Sequence, residues 1–105
     1  MTIHVTEASN RVEIAINGQL GIEDQQVLVN VVHEHGQKRD YCIHLDQVPY
    51  LDSMGLGMLL VLREQLEHNE QLQLHNPTPQ VMEQLAMMRF NDLFAIYNKG
   101  EAKDI

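Results

Sequence analysis

The sequence predicts an α/β domain built on a mixed, mostly parallel β-sheet of four to five strands flanked by three to four helices. Apolar residues switch along the chain between a period of 2 and a period of 3.6. Strands that alternate with helices imply parallel pairs joined by right-handed crossovers, and an opening hairpin makes the sheet mixed. With 105 residues the chain is too short to divide into two independent cores, so residues 1–105 read as a single domain.

Each element follows from local chemistry. Ile3 and Val5 alternate with His4 and Thr6, a short strand, and Ser9-Asn10 reads as a turn. Val12, Ile14 and Ile16 alternate with Glu13 and Ala15, a clearer strand. Asn17-Gly18 is a two-residue hairpin signal, so Gln19-Leu20 is expected to return briefly as a strand. From Ile22 the period becomes helical, with Val27, Leu28, Val31 and Val32 on one stripe. Glu23 and Asp24 place acid at the helix start, and Gly36 can take a left-handed cap at its end.

Tyr41, Cys42, Ile43 and Leu45 form a compact apolar run interrupted by His44, which predicts a central strand covered on both faces. Pro49 closes that strand, since it cannot donate to a ladder. A helix is expected from Ser53 to His68, and a strand where Leu72 and Leu74 alternate with polar residues. Thr78 as N-cap and Pro79 at the first helical position start a further helix carrying Val81, Met82, Leu85, Met87 and Met88. Leu93 to Ile96 make a last short apolar segment, and the tail KGEAKDI is expected to fray.

Composition excludes several functions. Apolar residues make up 44% of the chain, enough to bury a core without staples. The single cysteine, Cys42, permits no internal disulfide. The first residues lack the basic and apolar regions of a signal peptide, and no apolar run approaches the roughly 18 residues of a membrane span. A cytoplasmic protein is therefore expected. Seven Lys and Arg scattered among fifteen acids give a net charge of −8, which supplies no basic patch for nucleic acid or an anionic membrane. An acidic folded chain of this kind more plausibly meets another protein.

The informative stretch is Asp46 to Gly57, DQVPYLDSMGLG, which joins a buried strand to a helix. Ligand and partner sites collect at the carboxyl ends of strands in such sheets. Asp52 is a good N-cap and would place Ser53 at the first helical position. Gly55 and Gly57 then fall in the first two turns, each costing roughly 1 kcal/mol against alanine. Either tight packing on the sheet or the close approach of a partner would account for them. Ser53 either assists the cap or carries a phosphate. A phosphate there would meet first-turn N–H groups at the positive end of the helix dipole. It would also add roughly −1.5 to −2 charges beside Asp52 and Asp46.

The run LDSMGLGMLLVLREQL, preceded by a buried strand and the loop DQVPY, resembles the STAS domain of the anti-sigma factor antagonist family. In that family an Asp-Ser-[Ser/Thr]-Gly-Leu-Gly motif occupies the same strand-loop-helix junction, and a Gly-x-Leu ahead of the first helix is matched by Gly18, Gln19 and Leu20. The resemblance spans nearly the whole chain. It implies a protein-binding module without a catalytic site, with Ser53 as phosphate acceptor. The implied partners are an anti-sigma factor that doubles as a serine kinase, and a metal-dependent, PP2C-type phosphatase. Unphosphorylated antagonist would bind the anti-sigma factor, and the phosphorylated form would let go. The partner-binding residues implied are Asp46, Tyr50, Asp52, Ser53, Met54, Gly55, Leu56 and Gly57, with Gly21 and Asp24 from the segment before the first long helix. Two positions depart from the family pattern. Met54 replaces the second hydroxyl residue, and Gly21 stands where many members carry an acid, a role Glu23 or Asp24 could partly fill. The alternative is an unphosphorylated STAS subunit of a larger assembly, a lipid-transport or stressosome-like complex, in which Ser53 only caps.

Other chemistries fit poorly. Six histidines invite a metal, but His33 and His35 diverge by about 200° on a helix, and no cysteine pair or His-x3-His spacing is present. His44 and His75 lie on different strands and could approach each other. Leu51-Asp52-Ser53-Met54-Gly55 lacks the first glycine of a hydrolase elbow, and no Gly-Lys-Ser/Thr of a P-loop occurs. No cofactor is implied. The helix after Ser53 is apolar nearly all round, which core burial explains in the main and an exposed strip for a partner would explain in the excess. The methionines of the third helix read as adaptable core rather than a docking face.

Overall fold

A computed structural model describes residues 2–98. Five strands form one sheet in sequence order: β1 (Thr2–Glu7), β2 (Arg11–Asn17), β3 (Asp40–Gln47), β4 (Leu72–His75) and β5 (Ala95–Tyr97). β1 and β2 pair antiparallel, and every later pair is parallel. Three helices connect the parallel strands: α1 (Gln25–His35), α2 (Ser53–Glu64) and α3 (Pro79–Met87). Short 3-10 turns at Ile22–Asp24, Asn69–Gln71 and Phe90–Asp92 complete the connections. This is the mixed, mostly parallel α/β architecture that the two periods predict.

The sheet order has a further consequence. From β2 to β5 every crossover steps one place in the same direction. Right-handed crossovers then put all three helices on one face. Burial agrees: Val12, Ile14 and Ile16 of β2, Tyr41, Ile43 and Leu45 of β3, and Leu72 and Leu74 of β4 share one core with Leu28, Val32, Leu59, Leu62 and Leu85 of the helices. Among the described residues, the opposite face carries no helix. The expectation that β3 is covered on both sides is therefore wrong. Cys42 is buried there by its neighbours, while His44 is only half-buried and Asp46 is exposed. The compact apolar run misled because Cys42, the small apolar residue between Tyr41 and Ile43, points away from the core.

Two boundaries also shift, and one cap differs in conformation. Gln19 and Leu20 form no return strand. The hairpin is made by β1 and β2 around Ser9-Asn10, where the Ala8 amide donates to the Arg11 carbonyl at 2.8 Å. Gly18 does take a positive φ of 104°, but its N–H donates to the Gln47 carbonyl at 2.9 Å and the chain turns into α1. Leu20, fully buried, anchors that turn in the core. Gly36 ends α1 as expected, but with φ 108° and ψ 146°, a positive-φ conformation open to glycine that lies outside the left-handed helical cap region. α2 stops at Glu64, short of His68. The His68 amide instead donates to the Gln71 side chain at 2.6 Å, and buried Gln71 donates onward to the Gln37 and Arg39 carbonyls. The tail KGEAKDI lies outside the described residues.

The bare face carries a row of titratable side chains. His44 Nε2 lies 2.6 Å from Glu13 Oε1, and the His75 ring sits 5.3 Å from His44 and 5.0 Å from Tyr97. The bond to His44 holds the Glu13 carboxyl below its usual range, with Arg11 acting in the same direction. Burial pushes the His75 pKa down, with charge at His44 and Arg11 adding to it. A group whose folded pKa is depressed loses its stabilising balance as pH falls, because the unfolded chain takes the proton first. Melting temperature should therefore be flat at slightly alkaline pH, decline as pH falls through the ordinary histidine range, where the unfolded chain protonates His75 before the folded one does, and decline again through the ordinary carboxylate range for the same reason at Glu13. Thermal melts of His75→Gln should lose the first decline and keep the second.

Candidate functional site

The carboxyl end of β3 delivers the chain to the start of α2, and that junction is tied down from two sides. Asp52 has extended backbone, and its Oδ1 accepts the Gly55 N–H at 2.8 Å, a side-chain N-cap. Its Oδ2 accepts from Gln19 Nε2 at 3.2 Å, which links α2 to the segment after β2. From the other side Gln84 of α3 grips the Leu51 backbone. Its Oε1 accepts the Leu51 N–H at 2.8 Å, and its Nε2 donates to the Leu51 carbonyl. Ser53 follows as the first residue of α2, with its side chain exposed.

The two glycines of the motif have different reasons. A Cβ on Gly55 would sit 3.1 Å from Leu51 Cδ2 and 3.6 Å from Leu20, so Gly55 is glycine because the loop packs against it. A Cβ on Gly57 would meet nothing within 4 Å, and its φ is not positive. Nothing inside the fold requires glycine there. Gly57→Ala should raise stability by about 0.5–1 kcal/mol in urea unfolding, whereas Gly55→Ala should lower it.

The structure brings some of the sequence-predicted residues together and separates others. Ser53, Met54 and Tyr50 form one exposed corner, with Tyr50 40% and Met54 46% exposed. Asp52 is half-buried beneath it, and Gly55 and Leu56 are buried floor rather than contact surface. Gly57 is half-buried, one turn along α2. Asp46 is exposed in a different groove, which it lines with Gly18, Pro49 and Thr78. Asp24 is buried, its carboxylate accepting the Gly21 N–H at 2.7 Å to close the turn before α1. A Cβ on Gly21 would come within 2.8 Å of the Glu23 carboxylate, so the Glu23 acid group fills the space beside position 21. Charge is thus present beside position 21 although Gly21 itself supplies none.

Sequence reasoning missed Gln19, Gln84, Met87 and Met88. The glutamines act over 33 residues, and no local pattern signals them. The methionines were expected in the core. Met87 is instead 78% and Met88 54% exposed, because α3 ends at Met87 and Met88 turns out as its C-cap. Together with Leu51, Asp52, Ser53, Leu56 and Gln84, both methionines line an open groove.

The fold and this junction decide the family, because a family model described as "Mlab, STAS domain" matches residues 3–96. The chain belongs to the STAS-domain family. This STAS domain is 44% identical over 59 residues to a STAS-domain containing protein of Pseudomonas aeruginosa, a stretch that covers 55% of this chain and 58% of that relative. Its fold matches an anti-sigma factor antagonist from Mycobacterium paratuberculosis with a TM-score of 0.78 at 19% identity, over 91% of this chain and 84% of the other. It also matches the anti-sigma factor antagonist SpoIIAA in its unphosphorylated form, with a TM-score of 0.71 at 18% identity over 98% and 94% of the two chains. Among the described residues of this STAS domain, no helix is long and apolar enough to cross a membrane, and no three His, Cys, Asp or Glu side chains gather as metal ligands.

Proposed function

We propose that this STAS domain is a phospho-switched antagonist of an anti-sigma-like regulator, a cytoplasmic binding module rather than an enzyme. The observation that carries the reading is the placement of Ser53. Ser53 is an exposed residue at the start of a capped helix, at a corner whose local backbone is held by Asp52, Gln19 and Gln84. A phosphate on Ser53 would be received by the first-turn amides and the helix dipole, with little strain on the fold. It would add roughly −1.5 to −2 charges above Asp52, where a docked partner would have to desolvate them. Unphosphorylated protein binds an anti-sigma factor that is also a serine kinase; phosphorylated protein releases it, and a PP2C-type phosphatase resets the switch. Mass spectrometry of the protein after incubation with ATP and native extract should place phosphate on Ser53. A phosphorylated Ser53→Ala variant would remove the switch from this site.

A second reading is a permanently docked STAS subunit of a lipid-transport or stressosome-like assembly. The open space over Gly57 beside half-buried Leu60 and Val61 suits a lasting apolar contact. Such a complex should survive high salt and phosphatase treatment alike in a pull-down, whereas the switched complex should gain from the phosphatase.

A further inference from the structure

The sheet ends in two edges that differ in kind, β1 with six residues and β5 with three. A three-residue edge is too short a template for another strand, whereas β1 carries none of the devices that protect a long one. It contains no proline, its register with β2 runs unbroken over all six pairs, and from Thr2 to Thr6 it holds no Asp, Glu, Lys or Arg. Among the described residues no helix covers it either. The helical layer starts with α1, which crosses from β2 to β3. Ile3 and Val5 lie on the core side, opposite Ile16 and Ile14, yet Ile3 is only partly buried and Val5 is 38% exposed.

The backbone groups on this edge can be assigned. The Ala8 amide donates to the Arg11 carbonyl across the hairpin, and along an antiparallel pair bonded and non-bonded positions alternate. Counted back along the unbroken register, Thr6 and His4 bond to β2, and the N–H and C=O groups of Ile3, Val5 and Glu7 point away from the sheet. A second β1 running antiparallel presents the same groups at the same spacing. Two registers pair five positions of β1 and keep the core-side residues together. Symmetry about Val5 sets Ile3 against the Glu7 carboxylate twice. Symmetry about His4 sets Ile3 against Val5 twice, each pair exchanging both N–H···O bonds, and leaves Glu7 beyond the ladder with Arg39. Although the chain carries a net charge of −8, two copies meet in this register without opposing acids.

We propose that β1 is a self-association edge, at which two copies pair their β1 strands antiparallel about His4, on a two-fold axis, into one continuous sheet with five strands from each copy. A contact of this kind closes on itself. It removes both long edges and leaves only the short β5 strands open. The edge lies two strands from β3, so the Ser53 corner stays free in both copies. This dimer does not depend on the phosphate switch, and it presents two Ser53 corners on one sheet.

Sedimentation equilibrium and site-directed crosslinking test this. Purified wild-type protein should show a monomer–dimer equilibrium in the micromolar to submillimolar range. Val5→Lys and, separately, His4→Lys put charge on the edge at exposed positions. Each should weaken the dimer by about tenfold or more with little change in melting temperature. Position 4 faces itself across the two-fold as a non-hydrogen-bonded pair, with Cα atoms about 4.5 Å apart, within disulfide reach. His4→Cys should therefore form a covalent dimer in oxidised glutathione. Thr6→Cys, which faces position 2, should not, and nor should the wild type, whose Cys42 is buried. A wild type that stays monomeric at submillimolar concentration would overturn the proposal, as would a dimer indifferent to both lysines. A disulfide at 6 in place of 4 would overturn the register about His4.

Discussion

Ser53→Asp should weaken partner binding at least about 30-fold, roughly 2 kcal/mol, while leaving the fold intact, because a docked partner would have to strip water from the new carboxylate. The variant keeps the Asp52 cap and its bonds to Gly55 and Gln19. An acidic residue at the first position of a helix is tolerated or mildly stabilising, by up to about 1 kcal/mol. The melting temperature should therefore hold or rise slightly while titration calorimetry loses its signal. Ser53→Ala should bind as the wild type does, since the cap acceptor is supplied by Asp52 and not by the serine. This separation of binding from stability distinguishes a switch from a merely structural helix start.

Leu59→Ala should do the reverse and cost about 3 to 4 kcal/mol of stability. Leu59 is fully buried in α2 on the side opposite the solvent, and it belongs to the core shared by the sheet and all three helices. A helix confined to one face of a two-layer domain leaves a cavity there that little else can fill. Set against the 5 to 15 kcal/mol typical of a folded domain, the loss is a large fraction of the whole. Urea unfolding should show a lower midpoint with an unchanged slope. On the proposed reading one helix carries two separable duties, core packing through Leu56, Leu59 and Leu62 and switching through Ser53.

What the sequence made legible depended on how local the cause was. Alternation of Val12, Ile14 and Ile16, the Asp52 and Thr78 caps, and Pro79 at the first turn of α3 are local, and all stand in the structure. Asn17-Gly18 was local too, yet it misled. Gly18 does supply a positive φ, but burial of Leu20 draws the chain into the helical layer instead of back along the sheet. The bare outer face was not legible, because it follows from the direction of three successive crossovers and not from any one strand. At the site, the motif located Ser53, Asp52 and the two glycines. It could not separate Gly55, held against Leu51, from Gly57, which faces open space. Nor could it find Gln19 or Gln84, whose partners lie in distant segments. Met87 and Met88 failed for a related reason. Their helical spacing fits a core face, but the helix ends before that face can be used.

The account turns on whether charge at Ser53 decides docking. The direct measurement is the affinity of protein carrying genuine phosphoserine at position 53 for the partner captured from native cells, compared with unmodified protein under the same salt. The account predicts tight binding of the unmodified protein, loss of binding on phosphorylation, and full recovery after phosphatase treatment. Equal affinity of the two forms would contradict it.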